Sequence, residues 1–270
     1  MSAATKRRTT LAFRSFRKKN TVLSEIHWTS ELGRHAARSL LAKSLPTAKA
    51  ATEINAAFDP RHLGESVTEF TRRMDERAGT ERLHLLVMCS ANLESFLQDA
   101  VELFVADQGH RTKDFRLSLI GKQIAQPVIR SSTIPDMLEY TESLLDVKFG
   151  SARSSWKTAY KLRCAAAHEA GVLTAETRTK LGDNRRHVGD WIRLTWPDLK
   201  RFLESAYSIA DAVDRRISTA SLRSLEVEWL LARWKREETL PTRDRVWTAV
   251  HELGISVQRP RQKAIEAWLY

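Results

Sequence analysis

The clearest pattern along the chain lies at 81–105, where Leu85, Met88, Cys89, Asn92, Leu93, Phe96, Leu97, Ala100 and Phe104 recur at spacings of three and four. That spacing lays one apolar stripe along a helix, and Gly109 is placed to stop it. A second amphipathic helix opens at Pro197 with Leu199, Phe202, Leu203, Ala206, Ile209, Ala210 and Val213. Between them, Pro135 opens a shorter helix through Met137, Leu138, Leu144 and Leu145. Ser154 or Ser155 caps another that carries Trp156, Ala159, Tyr160 and Leu162 and ends near Gly171. Weaker periodicity at 24–45 (Leu32, Ala36, Leu40, Leu41) and at 63–77 predicts two further helices. The stretch 173–194 is polar and basic and reads as a loop with short structure.

Composition agrees with helices. Only ten Gly and seven Pro occur in 270 residues, and 42% of the residues are hydrophobic. This predicts an all-α protein with room for one sizeable core or two smaller ones. The divisions expected are a basic flexible arm at 1–22, a helical extension at 23–79, a helical bundle at 80–217 and a small helical C-terminal module at 218–270. Ser and Thr at 218–224 suggest a linker. The C-terminal module carries Trp229, Trp234, Trp247 and Trp268, a helix through Val246, Val250 and Leu253 stopped by Gly254, and a last helix after Pro260.

Charge changes the picture from fold to partners. The formal net charge is +11, a balance that favours polyanions, RNA or DNA first. The start of the chain holds Lys6, Arg7, Arg8, Arg14, Arg17, Lys18 and Lys19 before the first acid, Glu25. An organellar transit segment shares that composition; the preferred reading is a solvated arm that touches phosphate backbone. The two cysteines, Cys89 and Cys164, sit inside apolar helical patterns, as reduced thiols of a cytoplasmic protein do. No apolar run approaches the roughly 18 residues of a membrane span. There is no His-Glu-x-x-His or paired-cysteine pattern and no Gly-rich phosphate loop, so neither a metal nor another cofactor is expected.

The stretch 162–171 reads Leu-Arg-Cys-Ala-Ala-Ala-His-Glu-Ala-Gly. It resembles the signature of HEPN domains, helical bundles whose motif is an Arg followed four to six residues later by a His. Upstream, 90–99 reads Ser-Ala-Asn-Leu-Glu-Ser-Phe-Leu-Gln-Asp, which is similar to the acidic-aromatic helix of the RiboL-PSP branch of that superfamily, and a long helix follows from Pro197 as that branch implies. The resemblance spans roughly 80–217. It implies a HEPN-like bundle in which Arg163 clamps phosphate and His168 handles protons, in an endoribonuclease of toxin–antitoxin or anti-phage defence systems. A homodimer is implied as well, and an antitoxin or other protein is a further candidate partner. One position departs from the family: many members place Asn, Asp or His directly after the Arg, and here it is Cys164. A thiol is a weak hydrogen-bonding group, which puts activity in doubt more than fold. Arg77 and His84 form a six-residue-spaced decoy interrupted by Gly79 at an expected helix start.

The residue types suit RNA cleavage without a metal. The 2′-hydroxyl loses a proton, the leaving 5′-oxygen gains one, and charge on phosphorus is stabilised. Histidine titrates near neutrality, and arginine grips phosphate with a planar fork. On an ideal helix the two are about 140° apart, so one face holds both only if the helix loosens or a second copy completes the cleft. Tyr160, Lys161, Cys164 and Glu94 are candidate supporting residues, with a solvated carboxylate the plainer reading of Glu94. The region 150–201 has 11 Lys/Arg against five Asp/Glu, so Arg153, Lys157, Arg178, Lys180, Arg185 and Arg186 are candidates to track an RNA backbone. Trp156 and Trp191 are candidates to stack bases, with core packing the plainer reading. Two rival functions remain at this point: a non-catalytic HEPN module that binds RNA or protein, and a DNA-binding regulator that uses the C-terminal helices.

Overall fold

The computed structural model describes residues 9–54, 64–108, 134–182, 186–253, 255, 257 and 259–269. Of the described residues, 77% are helical and none forms a strand; two isolated antiparallel bridges, Lys49 with Ser66 and Val172 with Trp191, are the extended pairings among them. The all-α class expected from periodicity therefore holds. The helices are α1 (Leu11–Leu41), α2 (Ala50–Ile54), α3 (Val67–Asp107), α4 (Ile134–Leu145), α5 (Ser151–His168), α6 (Ala175–Leu181), α7 (Trp196–Ile217), α8 (Ala220–Arg236), α9 (Val246–Glu252) and α10 (Arg259–Leu269). Contacts group the chain into two compact units: unit 1 takes 1–17, 93–150 and 207–270, and unit 2 takes 18–92 and 151–206. Helices α1, α3 and α7 are each divided between the two.

Four sequence readings need correction. The arm expected at 1–22 is helical from Leu11 onward; residues 1–8 lie outside the described residues. Phe13, Phe16, Leu23 and His27 are buried at spacings of three, seven and four, a stripe that the surrounding cations mask. Within the same helix, the stripe read at 24–45 is on the wrong face: Leu32 is 69% exposed and Leu40 54%, and only Leu41 is buried. The helices expected at 63–77 and 81–105 are one helix, the 41-residue α3. Gly79 does not start or break it. A Cβ there would stand 2.8 Å from Cβ of Arg193, so glycine admits a neighbouring segment instead. The linker read at 218–224 is also helix: Ser218 and Thr219 alone separate α7 from α8, and Thr219 caps α8 by accepting from the Leu222 amide at 3.1 Å. Gly109, Gly254 and the Trp268 side chain lie outside what is described.

In unit 1, Phe13, Phe16 and Phe96 form an aromatic core with ring centroids 5.4–6.4 Å apart. The first amides of α1 meet two buried carboxylates. Thr10 donates its amide and hydroxyl to Asp214 at 2.9 and 2.6 Å, and Leu11 and Ala12 donate theirs to Glu226 at 3.0 and 3.3 Å. This supplies acceptors for the donors that any helix start leaves open. The C-terminal helices bury Val227, Leu231, Val246, Val250, Ile265 and Leu269 in one cluster.

Unit 2 holds the motif helix. Leu83, Leu86, Trp156, Leu173, Ile192, Leu199 and Phe202 are buried in it, so Trp156 is core and not a platform for bases. His27 lies flat on Trp196, with centroids 4.2 Å apart and planes 10° apart. Beside it Glu31 accepts from Arg34 and Arg82. The Arg34 guanidinium first, then Arg82, pulls the Glu31 carboxyl down to about 2.

Candidate functional site

Helix α5 starts at Ser151, one turn earlier than the Ser154 or Ser155 cap expected, directly after Gly150 with φ +54°. It ends where the motif reading placed its end. The Ala165 carbonyl accepts from the Glu169 and Gly171 amides at 3.0 and 3.1 Å, and Ala170 and Gly171 take φ of +51° and +79°. This is a left-handed C-terminal stop, for which glycine is suited. Gly171 has a second reason: a Cβ there would sit 3.3 Å from Leu83 Cδ2. The chain then pairs backbone with the returning segment, Ile192 donating to Gly171 at 2.7 Å and Leu173 to Asp190 at 2.8 Å.

The short structure expected within the loop at 173–194 is α6. Thr174 caps it by accepting from the Thr177 amide at 3.1 Å. Glu169, just past the end of α5, accepts from the hydroxyls of Thr174 at 3.1 Å and Thr177 at 2.8 Å, tying the two helices together. From the other end, Lys161 donates to the Lys180 carbonyl, and Lys180 pairs with Glu176.

These ties leave an open pocket of about 410 Å³. Tyr160, Lys161, Cys164 and His168 line it from α5, Thr177 and Lys180 from α6, and Glu169 from the junction. Tyr160, Cys164 and His168 follow at intervals of four, which puts them on one face of the helix. His168 is the exposed last residue of α5, at the carbonyl end that attracts cations. The pocket therefore joins a proton carrier, two ammonium groups, a phenol and a thiol.

Arg163 is not among its lining residues. It is half-buried, its guanidinium is 5.9 Å from the centre of the Tyr160 ring, and its Nε has no hydrogen-bond partner. The pocket that holds His168 is thus lined without Arg163, although Tyr160, beside the Arg163 guanidinium, lines it.

The other expected site residues scatter. Glu94 is half-buried on the part of α3 in unit 1. Arg153 and Arg178 are half-buried and Lys157 is exposed. Arg185 lies outside the described residues. Arg186 lines a second cleft of about 480 Å³, together with Arg193 and Arg201. Neither of those two was singled out from sequence, nor were Glu169 and Thr177. The Thr174 cap was legible in the polar start of α6, but the arrival of Arg193 depends on a distant glycine. Trp191 is exposed. Among the described residues no group of three or more His, Cys, Asp or Glu is arranged to hold a metal ion, and no helix is long and apolar enough to cross a membrane. Cys89 and Cys164 are both free, and burial pushes the Cys89 thiol up to about 12.

Compared with known proteins, the chain matches no family model, no curated protein and no solved structure.

Proposed function

We propose that the protein is a metal-independent, HEPN-like endoribonuclease whose reacting centre is the pocket at the end of α5. The observation that carries this reading is the stop at Gly171, which leaves His168 exposed at the mouth of a pocket that also holds Lys161 and Lys180. In that pocket His168 takes the proton from the 2′-hydroxyl or returns one to the leaving 5′-oxygen. The 2′-oxygen forms its bond to phosphorus as the bond to the 5′-oxygen breaks, giving a 2′,3′-cyclic phosphate and a free 5′-hydroxyl. Lysine ammonium groups and a guanidinium answer the charge that builds on the phosphoryl oxygens. With Arg163 outside the lining of the pocket that holds His168, the guanidinium is Arg163 of a second copy, and the working unit is a homodimer.

The test is incubation of the full chain with single-stranded RNA in EDTA, with a DNA of the same sequence alongside. Cleavage of the RNA alone, leaving cyclic phosphate ends, is the expected result. A folded protein that leaves varied RNAs intact overturns the reading. A second reading then stands, a module that binds RNA or a partner protein without cutting. Its motivation is already visible: Cys164 lines the pocket at the sequence position where many HEPN members carry a stronger hydrogen-bonding group, and Arg163 stands outside its lining.

A further inference from the structure

The cleft beside the motif pocket has a construction of its own. One wall is α5, through Thr158; another is the end of α6, through Gly182; the third is the start of α7, through Arg201 and Phe202. Arg186 and Arg193 reach it from the segment between α6 and α7. Three guanidinium groups thus line a cleft in which Asp198 is the one carboxylate among the described lining residues.

Two of those arginines are held from one side and open on the other. Arg193 pairs with Glu76 at 3.2 Å and is 50% exposed; Arg201 pairs with Asp198 at 2.9 Å and is 59% exposed. A guanidinium carries five N–H donors, so one carboxylate does not exhaust either group. The ion pairs fix the orientation of each fork and leave its remaining edge for a further anion. Arg201 also lies over the Phe202 ring, 5.0 Å from its centre. The position of Arg193 is fixed through the backbone. Gly79 lets the segment come within van der Waals contact of α3, the Leu194 amide donates to the Gly79 carbonyl at 3.1 Å, and Arg82 donates to the Leu194 carbonyl at 3.4 Å.

The cleft and the motif pocket share two walls. Lys161 lines the pocket and its neighbour Leu162 lines the cleft; Lys180 lines the pocket and Leu181 lines the cleft. Lys161 and Lys180 thus stand next in sequence to lining residues of the cleft that holds Arg186, Arg193 and Arg201.

We propose that this cleft is a phosphodiester-binding subsite for the same single-stranded RNA whose scissile phosphate lies at His168, and that it grips sugar–phosphate backbone without reading bases. The subsite rests on the ribonuclease reading for the identity of the strand. Arg193 and Arg201 are its positioning residues and take no part in the chemistry.

The experiment measures binding of the full chain to a short single-stranded RNA with 2′-O-methyl groups throughout, which removes the attacking hydroxyl. Affinity is followed across a salt titration. Each lost phosphate contact on a single strand lowers the salt slope by about 0.7, so Arg193→Ala with Arg201→Ala lowers it by about 1.4 and weakens binding roughly tenfold at low salt. Arg215→Ala removes an exposed cation that does not line the cleft and leaves the slope at the wild-type value. Thr158→Glu adds a negative charge to the cleft while keeping both ion pairs, and it weakens binding too. On cleavable RNA the double variant raises KM and leaves kcat in place. If wild type binds the RNA and both cleft variants bind it equally well, the subsite is refuted while the ribonuclease reading stands. If wild type does not bind RNA, both fall. Stabilisation of wild type by inorganic phosphate, together with an unchanged RNA slope in the variants, marks a small-anion site and overturns the proposal.

Discussion

At the scale of single residues, His168 and Arg163 carry different expectations although both belong to one motif. His168 is exposed in the pocket, so His168→Ala is expected to lower RNA cleavage by about 10²-fold or more while leaving the thermal midpoint nearly unchanged. Arg163 is half-buried beside Tyr160. Arg163→Ala is expected to lower cleavage as far, and its lost packing costs some stability as well. Cys164→Asn raises activity if the thiol weakens the pocket; unchanged activity shows the thiol to be tolerated. Gly171→Ala is a structural test. Its φ of +79° and the Leu83 contact at 3.3 Å both oppose a methyl group, so chemical denaturation should show a loss on the order of 1–3 kcal/mol. The position of this stop was legible in the sequence, because a glycine after a helical pattern has a local cause. The placing of Arg193 was not, because its cause is Gly79, more than a hundred positions away along the chain.

At the scale of elements, α1 departs furthest from its sequence reading. Its first turn has no acidic residue of its own; the acids that serve it come from α7 and α8. Burial raises the Glu226 carboxyl from its ordinary 4.5 to about 7, against the downward pull of the Leu11 and Ala12 amides. The folded chain therefore keeps a proton that the unfolded chain releases between those two values. Stability contributed by this group is present at low pH and falls as pH rises from about 4.5 to about 7, by up to about 3 kcal/mol. His27 acts in the opposite direction: burial lowers its pKa, so its contribution is lost as pH falls through the unfolded value. The clean readout is the difference between wild type and Glu226→Gln, measured by urea denaturation across that range. The variant is expected to flatten the loss on the alkaline side; identical pH profiles would show that Glu226 does not titrate there. Nothing local in the sequence marks Glu226, since an acid in a helix with several charges reads as solvated until its partners on α1 are known.

At the scale of the whole molecule, the helical class was plain from periodicity, whereas segment boundaries were not. From sequence Gly79 reads as standing at a helix start, but close approach of another segment is the use it serves. The dimer is a whole-molecule prediction with a direct check. Protein carrying His168→Ala and protein carrying Arg163→Ala are each expected to be inactive. Mixing them under conditions that exchange subunits should restore cleavage, because one of the two composite centres is then intact. No recovery, with exchange demonstrated, would place both residues of a working site on one chain. Sedimentation of the wild type should give twice the 30.8 kDa chain mass.

The junction of α1 with Asp214 and Glu226 also bears on where the chain tolerates cutting. A start rich in Lys and Arg invites trypsin-like cleavage, and it invites the maker of recombinant protein to shorten it. Trimming through Ala12 removes every donor that Thr10, Leu11 and Ala12 give these two carboxylates. Loss of hydrogen bonds to a buried carboxylate costs about 1–3 kcal/mol, which is a large share of a domain's usual margin. A shortened protein that expresses poorly or melts early would then owe its weakness to the hydrogen bonds lost from two buried acids of unit 1, and restoring Thr10 to Ala12 should mend it.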